Sequence, residues 1–152
     1  MKHIKTINKT NIKNSLVKPG CKECAKQKIE SLFDKYGDNI EVIISNNDDM
    51  AIGAVLALQE KGYNLGDPNK FISVVGIGGT EEVREMIKKG FMTGTVLQDA
   101  EEKAKVLYRI ALNLAQGKEA LQDTDYEFDV TGVGVRIPYN GYIIRNSPNL
   151  EI

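Results

Sequence analysis

Tryptophan is absent from this 152-residue chain, histidine occurs once and cysteine twice. With His3 as the sole imidazole, neither a Ser-His-Asp nor a Cys-His catalytic set can be assembled. The many carboxylates show no pair that spacing marks as acid and base. Cys21 and Cys24 lack the second pair that a zinc ribbon requires, and His3 lies too far from them for a finger spacing. No apolar run reaches the ~18 residues that cross a bilayer. The opening MKHIKTINKTNIKNSL is basic but has no apolar centre, so it does not read as a signal peptide. A surplus of charge is missing too: Lys plus Arg is 20, Asp plus Glu is 21, and the net charge is -1. Such balance gives no electrostatic case for nucleic acid or an acidic membrane surface. The lysines of the first 18 residues, with no acid among them, read as a solvated tail.

What is present is an ordinary globular composition, 41% hydrophobic and 27% charged, in a length that suits one domain. Helix and strand signals alternate. Residues 22–36 place Ala25, Ile29, Leu32, Phe33 and Tyr36 on one helical face, with Gly37 as a stop. The CKEC pair opens this helix. It reads either as two small residues on a first turn or as a thioredoxin-like redox motif. Residues 40–45, IEVIIS, are β-branched and predict a buried strand. Residues 46–49 supply cap oxygens and acidic charge for a second helix. That helix turns Met50, Ala51, Ala54, Val55 and Leu58 inward and ends at Gly62. Residues 71–77 predict the next strand. Thr80, Glu81 and Glu82 then open a helix bearing Val83, Met86 and Ile87, closed by Lys88, Lys89 and Gly90. A strand at 93–97 precedes a long helix over about 100–116, whose expected packed face is Ala104, Leu107, Ala111 and Leu114. Residues 126–130 and 133–137 alternate about Thr131-Gly132, which suggests a hairpin or an interrupted strand. Residues 139–144 suggest one more extended stretch.

Strands joined by helices imply an α/β fold with a mostly parallel sheet. In such sheets ligands bind beyond the carboxyl ends of the strands. Those ends carry Ser45-Asn46-Asn47-Asp48, Gly76-Ile77-Gly78-Gly79 and Gln98-Asp99. Amides and carboxylates there suit a polar, uncharged ligand, although Asn47 and Asp48 are equally placed to do no more than cap a helix. Residues 76–81, GIGGTE, resemble a dinucleotide fingerprint. However, Glu81 takes the third glycine position, and with Glu82 it puts negative charge where a pyrophosphate would sit. The expectation is therefore no cofactor.

Three segments carry a family resemblance: IEVIISNNDDMAIGAVLAL at 40–58, VVGIGGTEEVREMIKKGFMTGTVLQDAEEKAK at 74–105, and VRIPYNGYII at 135–144. Together they resemble the periplasmic galactose/glucose-binding proteins of ABC sugar transporters, and the likeness runs from about residue 25 to residue 144. The resemblance implies a type I periplasmic-binding-protein-like fold. Here it would comprise a doubly wound partial C-terminal lobe plus a returning segment of the N-terminal lobe. Residues 1–21 would be a tail or partial strand, and residues 22–97 part of the C-terminal lobe. Residues 98–152 would return to the N-terminal lobe and cross back.

The resemblance also implies a function. A hexose of the galactose or glucose type would be the ligand, ABC transporter membrane subunits the partners, and periplasm or cell surface the location. Of the family's sugar contacts, the asparagine after the first strand falls on Asn47, and a second asparagine falls on Gln98. An aspartate contact falls on Gly78, and the stacking tryptophan has no counterpart. Glu41 fits one ligand of a calcium site found in some members, but a metal is expected only if a loop absent here supplies the other ligands. Two alternatives remain: an effector-binding domain of a sugar-responsive regulator, or a non-binding fragment that self-associates through the truncated sheet. The second follows from an apolar edge expected along residues 40–45.

Overall fold

The computed structural model describes residues 20–143. Three side chains open helices by accepting a hydrogen bond from the first turn. Cys21 caps α1 (Lys22–Tyr36), Asn47 caps α2 (Asp48–Glu60) and Asp99 caps α4 (Ala100–Ala115). Helix α1 stops at Gly37, whose φ of 48° a side chain would resist. Between these lie β1 (Val42–Ile44), β2 (Ser73–Gly78), α3 (Glu81–Lys88) and β3 (Gly94–Leu97), and β4 (Asn140–Ile143) closes the series.

The sheet order is β1-β2-β3-β4. Strands β1, β2 and β3 are parallel neighbours, and β4 pairs with β3 antiparallel. Successive right-handed crossovers put α2 and α3 on one side of such a sheet. The core lies there: Ala51, Ile52, Val55 and Leu58 of α2 pack with Val74, Val83, Ile87 and Met92. Helix α1 packs on α2 and joins this layer through Ile29 and Phe33. Buried Asn64, at φ 51°, ties the approach to β2: its amide accepts from Ile72 N–H at 2.9 Å and donates to Ile72 O and Phe91 O.

Four expectations change. Residues 40–45 do not form a buried strand, because among the described residues β1 is an edge. Ile44 is 74% exposed, and Val42 and Ile143 are also exposed. Register puts Val75 beside Ile44, and Ile77 beside Val96, on the same side of the sheet as Ile44. Among the described residues that side carries no helix layer. Secondly, the hairpin over 126–137 reduces to a single antiparallel bridge, Phe128 to Val135. Val130 and Val133 stand in solvent, so the alternation has no surface to bury. Thirdly, the expected face of α4 is the wrong one. Ala104, Leu107, Ala111 and Leu114 are exposed, whereas Val106 and Asn113 are buried. The narrow covered stripe faces residues 120–126, where Asn113 Nδ2 donates to Ala120 O and Gln122 O. Finally, Cys21 and Cys24 are not merely small residues on a helical turn; they are joined as a disulfide. The tail or partial strand expected at 1–21 falls, through residue 19, outside the described residues.

Candidate functional site

Parallel pairing brings the carboxyl ends of β1, β2 and β3 to one rim, where each chain segment turns into a helix or loop. Asn47 stands after β1, half-buried, and its Oδ1 accepts from Met50 N–H at 2.9 Å. Its Nδ2 makes no hydrogen bond among the described residues, and a Cβ added at Gly20 would lie 3.7 Å from it. The start of α1 thus borders the same rim.

Asp48 does something different from its neighbour. It is buried, with Oδ2 accepting from Gly79 N–H at 2.6 Å and Thr80 N–H at 2.7 Å. Its Oδ1 accepts from Thr95 Oγ1 at 2.6 Å. One carboxylate therefore clasps the β2–α3 turn and β3. The N–H groups that a phosphate would use at this turn are already engaged by a fixed negative charge, which disfavours an anion there. The glycines make room for it: a Cβ at Gly76 would lie 2.7 Å from Asp48 Oδ1, and one at Gly78 2.9 Å from Oδ2. A side chain at position 78 would collide with Asp48. Only the cap role of Asp48 is visible in sequence; the pointer to its buried role is a glycine-rich turn whose bare N–H groups need an acceptor.

Gln98 lies at the end of β3, exposed, with its backbone N–H donating to Gly78 O at 3.1 Å. Lys103 Nζ donates to Gln98 Oε1 at 3.3 Å and stands 5.1 Å from the centre of the Tyr139 ring. Lys103 and the half-exposed Tyr139 ring are thus members of the rim that sequence reasoning did not single out. Beneath the turn, Arg84 Nε donates to Gly79 O at 2.9 Å, and its guanidinium faces the Tyr142 ring. Asn47 and Gln98 occupy the ends of β1 and β3 with β2 between them, two amides with donor and acceptor capacity flanking a glycine turn.

Glu41 is exposed just ahead of β1, and no group of three His, Cys, Asp or Glu able to hold a metal occurs among the described residues. A separate open recess of about 340 Å³ lies along α4, lined by Glu102, Val106, Arg109 and residues 123–126. Tyr126 donates to Glu102 Oε1 there at 2.8 Å, and this bond raises the phenol above its ordinary pKa. No helix of the described residues is long and apolar enough to cross a membrane.

Residues 7–119 match the family model of the periplasmic binding protein domain. The chain is 39% identical over 118 residues to the D-galactose/methyl-galactoside-binding periplasmic protein of Haemophilus influenzae, a match covering 77% of this chain and 33% of that protein. It is 31% identical over 102 residues to the xylitol-binding protein of Mycolicibacterium smegmatis, covering 67% and 28%. Among solved structures it superposes on an ABC transporter solute-binding protein of Bacillus halodurans with bound myo-inositol. The TM-score is 0.63 and the identity 28%, over 82% of this chain and 37% of that one. The chain thus spans about a third of the length of the curated relatives it matches. These relatives are sugar- or polyol-binding proteins, not enzymes, and the mostly parallel α/β sheet agrees with theirs. The chain belongs to the periplasmic binding protein domain family.

Proposed function

We propose that this chain belongs to the solute-binding component of an ABC sugar importer, and that its ligand is a hexose of the galactose or glucose type. The observation that carries the reading is the pair of amides at the rim. Asn47 Nδ2, unbonded among the described residues, can donate to a sugar hydroxyl, and Gln98 stands exposed across the glycine turn. A planar amide matches a hydroxyl pair as donor and acceptor together. The galactose-binding relative supports the hexose. In this reading residues 22–97 form part of the C-terminal lobe, and residues 98–152 return toward the N-terminal lobe before crossing back. The membrane subunits of the importer are the partners, and the periplasm is the working compartment.

The test is titration calorimetry of the chain with D-galactose and D-glucose, with myo-inositol and xylitol as comparators. Asn47→Ala and Gln98→Ala each remove one or two neutral hydrogen bonds, about 0.5–1.5 kcal/mol apiece, and should weaken hexose binding several-fold. Hexose binding unchanged in both variants would remove the amides from the site. Tighter binding of a polyol than of either hexose would reassign the ligand.

The open side of the sheet favours a second reading alongside the first: self-association of two copies through β1 and the face of Val42, Ile44 and Val75.

A further inference from the structure

The disulfide at the start of α1 is not among the polar groups that the proposed sugar reading uses. Cys21 and Cys24 are three residues apart, with Cα atoms 5.2 Å from each other. A ring this small removes little freedom from an unfolded chain, so the bond is poorly explained as a staple. Three features suit it to exchange instead. Cys21 is the N-cap of a 15-residue helix, and Cys24 N–H points at Cys21 Sγ from 3.1 Å. That arrangement favours a thiolate at Cys21 over a thiol. Both cysteines are half-buried, within reach of a reagent, and not sealed in the core. The turn that carries them is also firmly seated. A Cβ at Gly53 would overlap the Lys22 carbonyl oxygen and lie 3.2 Å from Lys26 N, so α2 holds this turn from below. Lys22 is further tied to Glu82 of α3 at 3.0 Å. With its backbone fixed, the pair stays placed to close again after it opens.

We propose that Cys21 and Cys24 form a thiol–disulfide exchange site that takes two electrons from a dithiol reductant. One thiolate of the reductant attacks Cys24 Sγ, the S–S bond breaks, and Cys21 Sγ leaves as the thiolate received by the Cys24 N–H. The second thiolate of the reductant then attacks its own sulfur in the mixed disulfide. Cys24 is released, and the reductant departs as a cyclic disulfide. Solvent supplies the two protons, and the reverse sequence restores the bond.

The experiment treats the oxidised chain with dithiothreitol without denaturant, counts thiols by alkylation and mass spectrometry, and follows helix content by circular dichroism. The proposal expects full reduction with unchanged helix signal, and closure again on adding glutathione disulfide. In single variants, Cys21 of Cys24→Ser should react with glutathione disulfide about tenfold faster than Cys24 of Cys21→Ser. Serine keeps the cap in the latter, so both should fold. Reduction only in denaturant, loss of helix in step with reduction, or equal rates for the two thiols would overturn it.

Discussion

Asp48 ties three segments of this structure together: its own helix α2, the β2–α3 turn and β3. It is buried, and a buried carboxyl group is tolerable only when its hydrogen-bonding capacity is filled. Gly79 N–H, Thr80 N–H and Thr95 Oγ1 fill it. Asp48→Ala would orphan two N–H groups and a hydroxyl at once and should lower unfolding free energy by about 3 kcal/mol or more. Asp48→Asn is the telling contrast. Its carbonyl can still accept from both N–H groups, and its amide can donate to Thr95, whose hydroxyl also accepts. That variant should lose roughly 1 kcal/mol. Urea denaturation of both variants checks the ranking, and equal losses would show that charge, not bond geometry, holds the turn. At this scale the sequence was legible only locally. Asn47 as a cap follows from its position before an apolar helix, but the reach of Asp48 across 47 residues to Thr95 follows from strand adjacency, which no local pattern encodes.

Helices are the elements that sequence periodicity places best, and α1, α2 and α3 lie where their apolar spacing puts them. What periodicity does not reveal is how closely two helices approach. Gly53 sits in the middle of α2, where alanine would ordinarily add about 1 kcal/mol of helix stability. Here its added carbon would overlap the Lys22 backbone, which cannot swing aside as a side chain could. Overpacking against backbone costs about 1–3 kcal/mol. Gly53→Ala should therefore destabilise on balance, seen as a lower urea midpoint with an unchanged slope. A raised midpoint would mean that α1 shifts freely.

Helix α4 shows the opposite failure of the same signal. Its apolar stripe is genuine, but its expected partner layer is not among the described residues, and polar Asn113 holds the one covered side. Asn113→Ala should free the Ala120 and Gln122 carbonyls and speed amide exchange in residues 118–126, while leaving the core of α2 protected. Uniform loss of protection through α2 would show instead that α4 and the core unfold as one.

Among the described residues, the sheet is dressed with helices on one side. Parallel sheets are ordinarily covered on both faces, because their crossovers bring helices to each. Here the consecutive strand order sends α2 and α3 to a single side. The opposite side presents Ile44, Val42 and Ile143 to solvent beside β1, which pairs on one flank only among the described residues. Burying one large aliphatic side chain is worth about 1.5–3 kcal/mol, and several contiguous ones give two copies a reason to meet. The β-branched run at 40–45 by itself reads as a buried strand; the expectation of an apolar edge there comes from the family resemblance. The length of the run could not say which flank was open. Ile44→Lys places a charge on that face at its β1 edge, where register turns the side chain away from the core, and lysine at an edge resists pairing. Sedimentation of the wild-type chain should therefore show a concentration-dependent dimer or larger species. Ile44→Lys should sediment as a monomer, with its urea midpoint little changed, because the residue it replaces is already exposed. A wild-type chain that stays monomeric across concentrations and melts in one sharp transition would show that this face is content in water, and the pairing would be withdrawn.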